Sequence, residues 1–332
     1  VRSRSLSLTA VLLSASLLLA GCGGSDEEKD EPKADTPAVV EPQTWPLTGL
    51  EAEEGKDVAL TRPVFVVKID NSGKAGAQVG LSKADLVFEQ MVEGRTTRLA
   101  AFFHSKAPGV VGPVRSMRAS DIGIVSPVGA QIVTSGAAGQ TIDRVRKAGI
   151  TFHEEGAAGF YRESSRSAPY NLMANLKDLA KAEEIEATRP DDYFAWGTAA
   201  DLPAGKPATS LRANFGNHTT AWSFSNGGWV NETSNAAQGD EFAATNVLVL
   251  RVKVRDAGYK DMAGSSVPES IYEGKGDATL FHDGKVIEGT WTKDGLDGAV
   301  TLEAGGKELK VPAGKTWVEL LPAVDAELTF AP

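Results

Sequence analysis

The sequence has one cysteine, Cys22, in 332 residues. A single thiol excludes an internal disulfide framework and leaves no cysteine for catalysis or a metal cluster. Histidine is nearly as scarce: the four (His104, His153, His218, His282) stand apart, with no second histidine at metal-ligand spacing. His153-Glu154-Glu155 opens like a zinc-protease motif but lacks the histidine four positions on. Lone surface or core histidines are therefore expected, with no metal and no cofactor. Basic charge is in deficit, 34 Lys and Arg against 44 Asp and Glu, for a net charge of −10. That balance disfavours nucleic acid as a partner. Gly314-Lys315-Thr316 resembles the end of a phosphate-binding P-loop, but Leu309 stands where its first glycine belongs. Ser135 has a glycine on one side only, which is not the nucleophile elbow of an α/β-hydrolase. With each catalytic signature missing, the reading leans away from an enzyme without closing that class.

Long apolar runs are limited to the N-terminus. Arg2 and Arg4 precede an apolar stretch over residues 6–20, short for a membrane span and laid out like a secretory signal. Leu19-Ala20-Gly21-Cys22 resembles the bacterial lipobox. That resemblance implies lipid attachment to Cys22, removal of residues 1–21, and a chain held by lipid on the extracytoplasmic face of the cell membrane. Residues 22–45 hold Asp26, Glu27, Glu28, Asp30, Glu31 and Asp35 among Pro32, Pro37 and Pro42. High charge with almost no large apolar residue cannot offset the entropy of ordering, so an acidic tether is expected.

The remainder has ordinary hydrophobic content, 42% across the chain, enough for a core. The pattern changes near residue 205. Residues 46–204 read as an α/β domain: buried strands at 64–69, 86–88, 99–103 and 131–134, a helix at 141–148, and a second at 175–186. Residues 205–332 read as β-rich and mostly antiparallel. Val247 to Arg255 alternates, with Leu248, Leu250, Val252 and Val254 on one side and Arg251, Lys253 and Arg255 on the other. Asp283-Gly284 supplies the pair that a two-residue hairpin needs, and residues 307–311 with 316–321 predict a last hairpin about Pro312-Ala313-Gly314.

One stretch stands out by what it lacks. Between Arg95 and Ser120 there is no acidic residue, and the stretch carries Arg95, Arg98, Lys106, Arg115 and Arg118. Guanidinium forks bind phosphate and carboxylate bidentately, which is how an anion site would be built. Candidate partners are Asp70 and Asn71 at the end of the first strand, Glu89 and Glu93 about the end of the second, and Asp121. Strand ends are where α/β sheets place ligands. Arg162, Arg166 and Asn171 form a further polar group. Structural ion pairs that fix loops would use the same residues, and the sequence leaves both readings open.

Several blocks resemble the YerB-like lipoproteins, the family built on the domain of unknown function DUF3048. They are Arg62-Pro63-Val64 through Asn71, residues 80–89 and 92–99, Val111 through Arg118, Ala168-Pro169-Tyr170-Asn171-Leu172, residues 281–291, and Pro312 through Val318. Two positions depart from the family pattern: Arg95 stands where a second glycine is usual, and Tyr170 where a histidine is. The resemblance implies an extracytoplasmic lipoprotein with an α/β part and a β-rich part, and it supplies no reaction. The expected function is a non-catalytic, membrane-anchored binding or regulatory protein whose basic N-terminal surface takes an anionic cell-envelope ligand or a partner protein. One alternative is an enzyme acting on phosphorylated or lipid-linked wall polymers, in which Arg98, Arg115 and Arg118 would neutralise a phosphate and Asp70 or Glu93 would serve as base or metal ligand. Another is a scaffold for a wall-synthesis enzyme, docking through Trp222, Trp229, Trp291 and Trp317, although aromatics at alternating strand positions more often pack inward.

Overall fold

The computed structural model describes residues 43–53, 60–182, 188–261 and 264–332. The expected signal, Cys22 and the tether up to residue 42 lie outside the described residues, as does the expected helix beyond residue 182. Among the described residues no helix is long and apolar enough to cross a membrane.

In the first half, β1 (Phe65–Asp70), β2 (Leu86–Met91) and β3 (Thr97–Phe103) are buried at every position. β3 pairs antiparallel with both β1 and β2, and β4 (Gln131–Val133) adds parallel to β1, followed by β5 (Phe152–His153). Helices α1 (Asp121–Val125), α2 (Gly139–Lys147) and α3 (Leu176–Ala182) complete this α/β part. The second half is strand-rich and mostly antiparallel. β6 (Ser210–Asn214), β7 (Thr219–Ser225) and β8 (Gly228–Asn231) form a small sheet with the C-terminal strand. β9 (Asn246–Lys260), β10 (Gly274–His282), β11 (Lys285–Lys293) and β12 (Val300–Ala304) continue the large one. Asp283 and Gly284 join β10 to β11 with φ of 47° and 67°, the left-handed pair of a tight hairpin.

The last hairpin is the exception. Residues 316–321 do not fold back on 307–311. Instead β13 (Thr316–Pro322) runs parallel between β9 and β2, with Val318 opposite both Leu248 and Phe88. Every residue of β13 is buried, and a strand buried on both faces belongs in a sheet centre rather than at an edge hairpin. The result is one thirteen-stranded sheet that runs through both halves of the sequence. β14 (Glu327–Ala331) then closes the small sheet against β6.

Alternate residues of the central strands feed two separate cores. Val66, Phe88, Phe102, Leu250 and Val318 pack with Ile122, Ile124 and Val145 on one face. Val67, Val87, Ala101, Val249 and Trp317 pack with Leu176, Leu211 and Trp222 on the other. This explains why Val247 and Val249 are as buried as Leu248 and Leu250: the simple alternation expected for β9 starts only where it outruns the covering layers. All four tryptophans named above are buried, at 1–2% exposure, so they are core residues and not docking anchors. Trp222 and Trp317 meet edge to face at 5.2 Å, tying the small sheet to β13.

Because β13 supplies the outer partner of β2, a chain ending at residue 204 leaves the β2 edge unpaired and Val87 and Phe88 uncovered. Such a chain is expected to aggregate or to unfold without a cooperative transition in urea, whereas the chain from Pro42 to Pro332 unfolds sharply.

Candidate anion site at the arginine cluster

The antiparallel register sets the cluster. Arg98 near the start of β3 lies opposite Asp70 on one side and Gln90 on the other. The segment after Pro113 crosses this end of the sheet, where Arg115 N–H donates to the Lys68 carbonyl and Met117 N–H to Thr134 Oγ1. Asp121, at the start of α1, is fully buried. It accepts from Lys68 Nζ at 2.7 Å, from Gln90 Nε2 at 2.5 Å and from the Arg118 backbone N–H at 2.6 Å. Burial outweighs this pairing and, with Arg98 and Arg118 adding to it, pushes the Lys68 pKa down to about 8.

Arg118 makes a two-pronged ion pair with Glu93, at 2.7 and 2.6 Å, and its remaining nitrogen donates to the Ser116 and Met117 carbonyls. Arg115 Nε lies 3.0 Å from Asp70 Oδ2, but its N–H is not aimed at a partner, so the contact is electrostatic rather than a hydrogen bond. Asp70 gives its other oxygen to the backbone N–H and hydroxyl of Ser72. Arg98, nearly buried, donates to the Ser116 carbonyl and has an unpartnered Nε. Burial first, then Arg118 and Arg115, push its pKa down to about 9, which leaves it charged at neutral pH. Four cations (Lys68, Arg98, Arg115, Arg118) thus face three carboxylates (Asp70, Glu93, Asp121), and Asp261 on the lining of the adjoining cleft is a fourth.

Outside this cluster lies a cleft of about 350 Å³, walled by Arg115, Ser116, Arg118, Ser135, Ala138 and, from the far end of β9, Tyr259. Asp261 lines its rim and accepts from Ser265 N–H. The loop after β4 turns sharply at Gly136, where φ of 102° favours glycine. It leads into α2 through Ala138, which offers no side-chain cap. The Thr141 and Ile142 N–H groups of its first turn donate to the Ala138 carbonyl. Among the described residues no group of three or more His, Cys, Asp or Glu could hold a metal ion.

Not every candidate joins this cleft. Arg162 pairs with Glu155 and donates to Asn171 Oδ1 at 2.7 Å, an exposed group of its own. Arg166 donates to the Ala75 and Ala77 carbonyls, holding a loop. Asn71 and Glu89 enter a different, buried network. Glu89 accepts from Asn71 Nδ2 at 3.0 Å and Thr220 Oγ1 at 2.9 Å, with His218 Nε2 at 3.1 Å. Directly opposite in register is Glu319 of β13, fully buried, taking one hydrogen bond from Trp222 and leaving Oε2 without a partner. Burial, then the adjacent Glu89 charge, raises the Glu319 pKa well above the usual carboxylate range. Burial acts against it, but the His218 hydrogen bond and charge, then Thr97 and Thr220, lower the Glu89 pKa from its ordinary value. Glu319 and His218 were not anticipated. The one signal for Glu319 is a lone acid inside the apolar run Trp317-Val318-Glu319-Leu320-Leu321; His218 carries none.

Residues 47–189 match the N-terminal domain of the DUF3048 proteins of unknown function, and residues 209–318 match the C-terminal domain of the same proteins. The chain belongs to the DUF3048 family. A Bacillus subtilis (strain 168) protein provisionally named lipoprotein YerB is 28% identical over 309 residues, covering 85% of this chain and 87% of the relative. The crystal structure of YerB from Bacillus subtilis shares the fold, with a TM-score of 0.72 and 24% identity over 86% of this chain and 99% of that one. The two departures from the DUF3048 pattern now have positions. Arg95 holds a left-handed φ of 57°, a conformation natural to glycine, and Tyr170 lies under the Arg115 guanidinium at 5.1 Å.

The carboxylate pair gives a pH prediction. A carboxyl whose folded pKa is raised contributes stability below its unfolded pKa and loses it as pH rises toward the folded value. Glu319 should therefore make the fold less stable as pH climbs above about 4.5, the window set by its upward shift. Glu319→Gln is expected to shrink the difference between urea midpoints measured at pH 5 and pH 8. Equal pH dependence in both proteins would show that the pair keeps no proton.

Proposed function

We propose that this chain is a lipid-anchored extracytoplasmic protein that binds an anionic group of the cell envelope in the Arg115 cleft, without catalysing its turnover. The anchoring rests on the lipobox-like residues 19–22 and on the lipoprotein name of the Bacillus subtilis relative. The observation that carries the binding reading is the Arg115 guanidinium lining the cleft together with two serine hydroxyls. Arg118 is saturated by Glu93 and two carbonyls, whereas Arg115, beside Asp70, makes one long hydrogen bond of 3.3 Å to the Pro169 carbonyl and keeps donor capacity for a ligand. Its side chain is 21% exposed, and the Ser116 and Ser135 hydroxyls, 3.4 Å from one another, line the same cleft. These donors suit a phosphate or carboxylate head. The enzymatic alternative has less support, because Asp70 and Glu93 are both engaged by arginine and neither is placed as a base.

Thermal unfolding of the unit from Pro42 to Pro332, compact by itself, tests the reading with inorganic phosphate, pyrophosphate and wall fragments as probes. A ligand at 100 times its Kd stabilises by about 2.7 kcal/mol, a shift of a few degrees. Arg115→Gln and Ser135→Asp are each expected to abolish that shift, the second without disturbing either ion pair. Shifts that survive in both variants would place the anion elsewhere.

A further inference from the structure

The register that gathers the arginines at one end of the sheet gathers a second set of cations at the other. β1 and β2 begin where β3 ends, as the pairs Phe65–Phe103 and Leu86–Phe102 show. β13 also begins there, Thr316 lying opposite Leu86. Each of these termini has a basic residue next to it: Arg62 before β1, Lys83 before β2, Lys106 after β3 and Lys315 before β13. Lys177, on α3, faces the same place. The length of β3, seven residues, separates this end from the Arg115 cleft by roughly 20 Å.

Four of them, Arg62, Lys83, Lys106 and Lys177, line an open groove of about 580 Å³, with Val110 (40% exposed) beside them and Asp240 as the one acidic residue among the described residues of the lining. Asp240 accepts from Ser82 Oγ at 3.0 Å. Asp85, behind the groove, is buried and takes hydrogen bonds from the His104 and Ser105 backbone N–H groups. Among the described residues no carboxylate lies within ion-pair distance of Lys83, Lys106 or Lys177. Lys315 lies next to Lys83 and Lys106. Its ammonium donates to the Ser82 carbonyl, and its pKa is lowered by burial first and then, against Asp85, by Lys106 and Lys83. Three lysines in one groove, with no carboxylate at ion-pair distance among the described residues, are unexpected on a chain of net charge −10.

We infer that this groove is a second binding site, for a linear polyanion such as a polyphosphate or polyuronate chain. Lysines are mobile point charges that do not impose the bidentate geometry of arginine, so they suit a run of repeated charges rather than one oriented head group. The groove is open to solvent, which leaves its lysines within reach of a chain.

Binding of the unit from Pro42 to Pro332 to long-chain inorganic polyphosphate, to polygalacturonate and to phosphatidylglycerol vesicles decides the matter, with Lys83→Gln/Lys106→Gln/Lys177→Gln beside the wild type. All three positions are exposed, so an unchanged melting temperature in the triple variant is the folding control. The wild type is expected to bind one or both polymers, at least tenfold more tightly than the triple variant. Its affinity should fall roughly 20-fold between 50 and 200 mM salt if three charges are neutralised. Which polymer binds distinguishes phosphate from carboxylate chains, and either supports the site. Arg115→Gln is expected to leave polymer binding intact, which separates this inference from the reading of the Arg115 cleft. Polymer binding unchanged in the triple variant, no binding of either polymer at 50 mM salt, or lysine-dependent binding to the vesicles alone would each overturn it.

Discussion

The structure depends on the place of one strand. β13, from the end of the sequence, lies parallel between β9 and β2 and gives each a row of backbone partners it would otherwise lack. Removing it would leave two unpaired sheet edges, both apolar, where there is now a continuous core on each face. Strand closure of this kind must wait for nearly the whole chain, since β2 and β13 are separated by more than two hundred residues of sequence. Long-range parallel pairing of this sort is entropically costly to initiate, and the depth of burial of β13 is what makes it persist.

The same pairing explains the least comfortable feature of the core. By setting β13 beside β2 in register, the fold places Glu319 against Glu89, both fully buried. Two buried carboxylates cannot both ionise in an apolar surrounding. The small sheet relieves this by delivering His218, Thr220 and Trp222 to the pair. Those residues couple the position of that sheet to the protonation of the main one. Buried polar groups of this kind are weak contributors to stability, but they penalise any register that separates them.

Charge is organised on the same frame. A net acidic chain carries two clusters of basic groups at the two ends of three central strands, with apolar layers between them. Arginines with fixed partners stand at one end, and at the other stand lysines with no carboxylate at ion-pair distance among the described residues. The difference matters chemically: guanidinium groups held by fixed partners have a defined orientation, while lysines supply potential without geometry.

Much of this was readable in the chain. Near-continuous apolar runs marked β1 to β4 as buried on both faces, Asp283-Gly284 marked its hairpin, and the acid-free arginine stretch marked the residues that cluster beside Asp70, Glu93 and Asp121. Such signals are local, because periodicity and turn chemistry act over a few residues. What the chain could not disclose was pairing between distant segments. The run 316–321 reads equally well as half of a hairpin or as a central parallel strand, since both require the same apolar residues. That choice, set by which edges remained to be covered, decided that Asn71 and Glu89 serve a buried network rather than the cleft. It also brought Lys315 to the end of the sheet where Arg62, Lys83, Lys106 and Lys177 lie.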